Sequence, residues 1–138
     1  MQYKAILFDL DGTLLDTLDD LADATNAVLR HYGYPEHARD AYKYFVGSGA
    51  ESLIKSALPP AEAARHDIRQ LIQAFNKEYE QRWYVKTRPY PGIAGLLDWL
   101  QEQKIPLNIL SNKPHHFTVQ CVTTLLPQWE FTSLAKRR

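Results

Sequence analysis

Residues 7–17 read LFDLDGTLLDT. Leu7 and Phe8 complete a short apolar run that begins near Lys4, and the run meets two acids, Asp9 and Asp11, before Gly12 and Thr13. Such a run suits a strand buried on both faces in a parallel sheet. Carboxylates are rarely buried without a partner, so a strand that ends on two of them predicts a site rather than more core. In an extended segment, residues two apart project to one side, so both carboxylates can face one ligand while Gly12 frees the backbone to turn. Like charges that close need a cation or a proton between them. A hard divalent metal such as Mg2+ meets that need, and so does a division into an ionised nucleophile and a protonated general acid. Phosphoryl transfer uses both. The competing reading is a turn whose acids only cap the next segment; the strand before and Gly-Thr after favour the site.

Beyond Thr17 the period changes. In residues 17–35, TLDDLADATNAVLRHYGYP, the apolar Leu18, Leu21, Val28, Leu29 and Tyr32 share a helical face, and Gly33 and Pro35 supply the stop. Thr17 with Asp20 resembles a capping box, and Asp16, Asp19, Asp20 and Asp23 read as a solvated helix start. Shorter helices are predicted over 38–46 and 50–58, broken at Gly47-Ser48-Gly49, and a long one over 61–82 on the spacing of Ile68, Leu71, Ile72, Phe75 and Tyr79. Pro89-Tyr90-Pro91-Gly92 is a rigid turn, followed by a helix carrying Ile93, Leu96, Leu97 and Leu100, a strand over 107–110, a helix from Pro114 and a short strand over 129–132. This order predicts an α/β fold: an incomplete Rossmann-like parallel sheet core of residues 1–15 and 89–138, with an inserted α-helical cap of residues 16–88. The hinges fall near 14–17 and 85–91, with Trp83, Tyr84 and Tyr90 packing there.

In open α/β sheets, ligands gather beyond the carboxyl ends of the strands. The second core strand ends LNILSNKP, so Ser111, Asn112 and Lys113 fall beside the two acids if the strands are parallel neighbours. A hydroxyl, backbone N–H groups and a helix amino terminus together make a phosphate cradle. Helix capping by Ser111 and Asn112, and a solvated loop position for Lys113, are the competing readings.

Composition narrows the partners. The 138 residues amount to about one ordinary domain. Lys plus Arg and Asp plus Glu both number 16, which leaves no electrostatic footprint for nucleic acid or an anionic membrane and points to small ligands. A lone Cys121 excludes an internal disulfide framework and reads as a small core residue. The amino terminus holds no signal-peptide core, no run approaches spanning length, and the expected location is the cytoplasm. The five histidines show no recurring ligand spacing. Nothing in the sequence fixes the oligomeric state.

DLDGTLLDT, a helical insertion, then PGIAGLLDWL and ILSNKP together resemble the haloacid dehalogenase superfamily, in particular its phosphoglycolate phosphatase-like members with a helical cap. That resemblance covers residues 3–133 and implies a Mg2+-dependent phosphatase acting on a small phosphorylated metabolite through an aspartyl-phosphate. On it, Asp9 matches the nucleophile and a Mg2+ ligand, and Asp11 the general acid/base with its backbone carbonyl on the metal. Ser111 matches the hydroxyl that holds the transferring group, accompanied by Thr13 and Asn112, and Lys113 is a phosphate-facing candidate. Gly47 and Gly49 lie in a segment resembling one that reaches toward substrate. The family pattern continues with a lysine after a proline-rich turn that leads into a helix, and then a G-D-x-x-x-D motif; Lys136 lacks that context and no G-D-x-x-x-D follows Ser111, so the reading is of a chain truncated at its carboxyl end. Weaker Mg2+ binding and slower transfer are the expectation for such a chain. An inactive remnant that binds a partner and a phosphomutase of the same superfamily are the alternatives. A receiver-type signalling domain fits less well, because it has no helical insertion after its first strand.

Overall fold

The computed structural model describes residues 3–65 and 67–137. The chain forms two compact units, residues 1–16 with 88–138 and residues 17–87.

The first unit is a parallel sheet with helices. Strands β1 (Ile6–Phe8), β4 (Leu107–Ser111) and β5 (Phe131–Lys136) line up in the order β1-β4-β5, with β4 in the centre. β1 pairs with β4 in parallel, Ile6 with Leu107 and Phe8 with Ile109, so Asp9 and Ser111 emerge at the same edge of the sheet. β4 alternates: Leu107, Ile109 and Ser111 are buried, Asn108 and Leu110 half-buried. Two helices, α5 (Ile93–Glu102) and α6 (His115–Leu125), belong to this unit and bury Leu97, Leu100, Phe117 and Cys121. A two-stranded antiparallel ribbon, β2 (Leu15–Asp16) with β3 (Arg88–Pro89), joins the segments by which the chain leaves and re-enters the unit.

The second unit is helical: α1 (Leu18–His31), a 3-10 turn (Arg39–Tyr44), α2 (Ala50–Ala57), α3 (Pro60–Arg65) and α4 (Ile68–Glu80). α1 packs on α4 and on the 3-10 turn, and α2 packs on α4. The buried residues follow the helical period, Leu21, Val28 and Leu29 on α1 against Leu71, Phe75 and Tyr79 on α4. Asn26 ties the 3-10 turn to α1. Its Nδ2 donates to His37 O at 2.9 Å, and its Oδ1 accepts from His37 N at 3.1 Å and from Tyr42 Oη at 2.5 Å.

Several expectations are corrected. β1 is not buried on both faces: Leu7 is 61% exposed and Lys4 precedes the strand. The helix predicted over 38–46 is a six-residue 3-10 turn, in keeping with the short runs this tighter helix forms. The single helix predicted over 61–82 is two, because Asp67 caps α4 by accepting the N–H of Arg69 at 3.1 Å. Thr17 makes no side-chain cap on α1, and Asp20 is buried rather than solvated. Tyr84 is exposed while its neighbour Trp83 is buried. The last strand lies at 131–136, two residues later than predicted at its start.

Candidate active site

At the end of β1 the chain turns at once. The carbonyl of Leu10 accepts from the N–H of Thr13 (3.3 Å), Leu14 (3.1 Å) and Leu15 (3.1 Å), while Gly12 N donates to Leu15 O at 2.9 Å. Gly12 has φ +80, a left-handed conformation that glycine adopts without a Cβ penalty. Leu10, fully buried, points inward, whereas Asp9 and Asp11 on either side are half-buried. Leu10 N also donates to Asp9 Oδ1 at 2.9 Å, which fixes that carboxylate against its own backbone. Thr13 lies exposed in the turn.

The end of β4 is as tightly organised. Ser111 is buried, and its Oγ accepts the N–H of Lys113 at 3.1 Å, so the hydroxyl hydrogen remains to donate elsewhere. The main-chain carbonyl of Ser111 accepts from Arg137 N at 2.9 Å, joining β4 to the end of β5. Neither Ser111 nor Asn112 caps α6; Pro114 occupies that position without a side-chain bond. Pro114 also lies just outside α6, which starts at His115.

The two strand ends meet through charge. Lys113 Nζ lies 3.2 Å from Asp11 Oδ2, with side-chain exposures of 2% and 17%. Lys113 is therefore not a solvated loop lysine. Asp11 Oδ1 is buried and meets no hydrogen-bond donor among the described residues. Removing one partner of an ion pair this enclosed would strand the other charge. Sequence reasoning placed Lys113 near the acids but missed its pairing with Asp11; the D-x-D and S-N-K motifs point to it only once the β1–β4 register is known.

Of the sequence-predicted residues, Asp9, Asp11 and Thr13 follow β1, and Ser111, Asn112 and Lys113 lie at the end of the adjoining β4. Gly47 and Gly49 belong to the helical unit, with φ of +110 and +90, and Gly49 is the amino-terminal cap of α2. Their backbone geometry accounts for the break between the 3-10 turn and α2. Among the described residues no cluster of three or more His, Cys, Asp or Glu side chains could hold a metal, and no helix is long and apolar enough to cross a membrane.

With this geometry, paired acids and a hydroxyl-amide-lysine segment on adjoining parallel strands, the comparison with known proteins is direct. The family model for haloacid dehalogenase-like hydrolases matches residues 6–133. The chain belongs to the haloacid dehalogenase-like hydrolase family. Among its relatives in that family, a phosphoglycolate phosphatase of Nitrosospira multiformis is 36% identical over 119 residues, covering 84% of this chain and 52% of the relative. One of Aliivibrio fischeri is 32% identical over 136 residues, covering 95% and 58%. The crystal structure of a predicted phosphoglycolate phosphatase from Haemophilus somnus superposes with a TM-score of 0.89 at 26% identity, over 99% of this chain and 63% of that one. The chain thus spans about half the length of the curated relatives it matches.

Proposed function

We propose that the chain is a cytoplasmic phosphatase that hydrolyses a small organic phosphomonoester such as 2-phosphoglycolate through a phosphorylated Asp9. The observation that carries this reading is the pair of acids after β1 set against Ser111 and Lys113 at the end of the neighbouring parallel strand. Membership of the hydrolase family and the names of the relatives support it.

The donor set fits Mg2+, a hard cation that is commonly held by one or two carboxylates with water and substrate phosphate completing its shell. Asp9 and the main-chain carbonyl of Asp11 would hold it. When bound it offsets the charge of the phosphoryl group.

The chain's own residues do the rest. Leu10 N–H fixes Asp9 Oδ1, which holds the nucleophilic carboxylate in one orientation. The Ser111 hydroxyl, held in place by Lys113 N–H, donates to a phosphoryl oxygen, and Thr13 and Asn112 supply further polar contacts to it. Asp11 gives a proton to the departing alcohol and later takes one from the attacking water.

The test is release of inorganic phosphate from 2-phosphoglycolate by the purified chain, with and without Mg2+. The expected result is Mg2+-dependent release that Asp9→Asn abolishes. A phosphorylated sugar product instead of free phosphate would replace the phosphatase with a phosphomutase. No release together with no beryllofluoride adduct at Asp9 would leave a binding role in place of an enzyme.

A further inference from the structure

The sequence alone offers Lys113 as a cation facing phosphate or as a solvated loop lysine. Its surroundings assign it differently. The ammonium is enclosed, its main chain is tethered by the bond from Lys113 N to Ser111 Oγ, and Nζ lies against one oxygen of Asp11. The other oxygen, Oδ1, is buried without a donor. A buried carboxylate oxygen left unmatched is costly, and such atoms are kept where function needs them.

We infer that Lys113 is a positioning residue: its ammonium anchors Oδ2 of Asp11 and leaves Oδ1 as the oxygen that exchanges a proton during the reaction. This rests on the phosphatase reading above. A carboxyl group whose Oδ2 receives an ammonium N–H carries its proton on Oδ1. In the first step the bond from phosphorus to the ester oxygen breaks, the bond from Asp9 to phosphorus forms, and the Oδ1 proton passes to the departing oxygen. In the second, a water oxygen bonds to phosphorus, the Asp9–phosphorus bond breaks, and a water proton passes to Oδ1. The ammonium keeps its three protons throughout and holds the carboxylate in one rotamer.

The experiment compares wild type with Lys113→Met on two substrates, an alkyl phosphate and 2,4-dinitrophenyl phosphate, whose departing phenolate needs no proton. The quantity read is kcat/KM, which reports events up to departure of the first product. An anchor for the acid predicts a loss of about tenfold or more on the alkyl ester with little change on the aryl ester. It also predicts competitive inhibition by inorganic phosphate within about twofold of wild type. Equal losses on both esters, with weakened phosphate inhibition, would overturn the proposal and make Lys113 a phosphate ligand. If Lys113→Met does not fold, Lys113→Gln carries the same comparison. If wild type releases no phosphate, the phosphatase reading fails on its own, and a thermal-denaturation cycle over Lys113→Met, Asp11→Asn and the double variant decides the pairing. A double variant more stable than the sum of the single losses upholds the Lys113–Asp11 contact, and strict additivity overturns it.

Discussion

Asp20 and Thr87, 67 residues apart in sequence, are joined by two hydrogen bonds: Asp20 Oδ2 accepts from Thr87 N at 2.9 Å and from Thr87 Oγ1 at 2.7 Å. The same carboxylate accepts from Lys86 N, at 3.1 Å on Oδ1 and 3.0 Å on Oδ2. Asp20 sits in the first turn of α1 and Thr87 is the last residue of the helical unit, so one buried side chain closes the unit's beginning on its end. Asp23 adds to the closure from the next turn by pairing with Lys86 Nζ at 2.8 Å.

Asp20→Ala would leave buried donors without their acceptor and is expected to destabilise the chain by about 2–4 kcal/mol. Asp20→Asn keeps the shape but turns one acceptor into a donor, so its loss should be smaller. Urea unfolding followed by tryptophan fluorescence measures both; an unchanged midpoint for Asp20→Ala would refute the closure.

The course of the elements was legible where local sequence decides. The acids after the first strand, the amphipathic face of α1 and the strand over 107–110 each follow from a few adjacent residues. What was not legible depends on distant partners. An aspartate in a first helical turn ordinarily complements the helix dipole in water, and nothing near Asp20 announces donors some 66 residues on. The pairing of Lys113 with Asp11 is hidden in the same way, since it exists only in the β1–β4 register. The break before α4 was masked because Ile68, Leu71 and Phe75 continue a helical period that does not reveal where the helix starts.

Tyr42 gives the helical unit an alkaline limit. Burial first, and then the Glu36 and Asp23 carboxylates, push its phenol well above the usual 10.0. A folded-state value raised above the unfolded one contributes stability that is fully present below the unfolded value and is lost as pH rises beyond it. The melting temperature should therefore fall from about pH 10 upward, where the unfolded chain releases the phenolic proton first. Tyr42→Phe, which loses the bond to Asn26, should start lower and show a flatter decline over the same range. Parallel declines for the two proteins would contradict this.

Ser111 separates transition-state stabilisation from structure. Ser111→Ala removes one hydroxyl donor from the strand end and is expected to lower kcat/KM for the phosphomonoester by about a hundredfold. Lys113 N would also lose its acceptor, at a cost of about 1 kcal/mol in stability. Steady-state kinetics alongside urea melts distinguish the two effects. A stability loss with undiminished kcat/KM would remove Ser111 from the phosphate contacts.

Two glycines of the sheet unit should respond to alanine with opposite sign. Gly12 has φ +80, and a Cβ placed there meets no atom within 4 Å, so its cost is backbone strain alone, about 1–2 kcal/mol for an L-residue held left-handed. Relief of that strain would shift Asp11, its neighbour, and kcat/KM should fall further than the stability change explains. Gly95 lies within α5 in ordinary helical geometry, also with nothing within 4 Å. Gly95→Ala should therefore stabilise by about 0.5–1 kcal/mol, because alanine loses less backbone entropy on entering a helix. Denaturation midpoints measured on both variants test the contrast, and a Gly12→Ala protein as stable and as active as wild type would show that the turn after the acids does not require its left-handed residue.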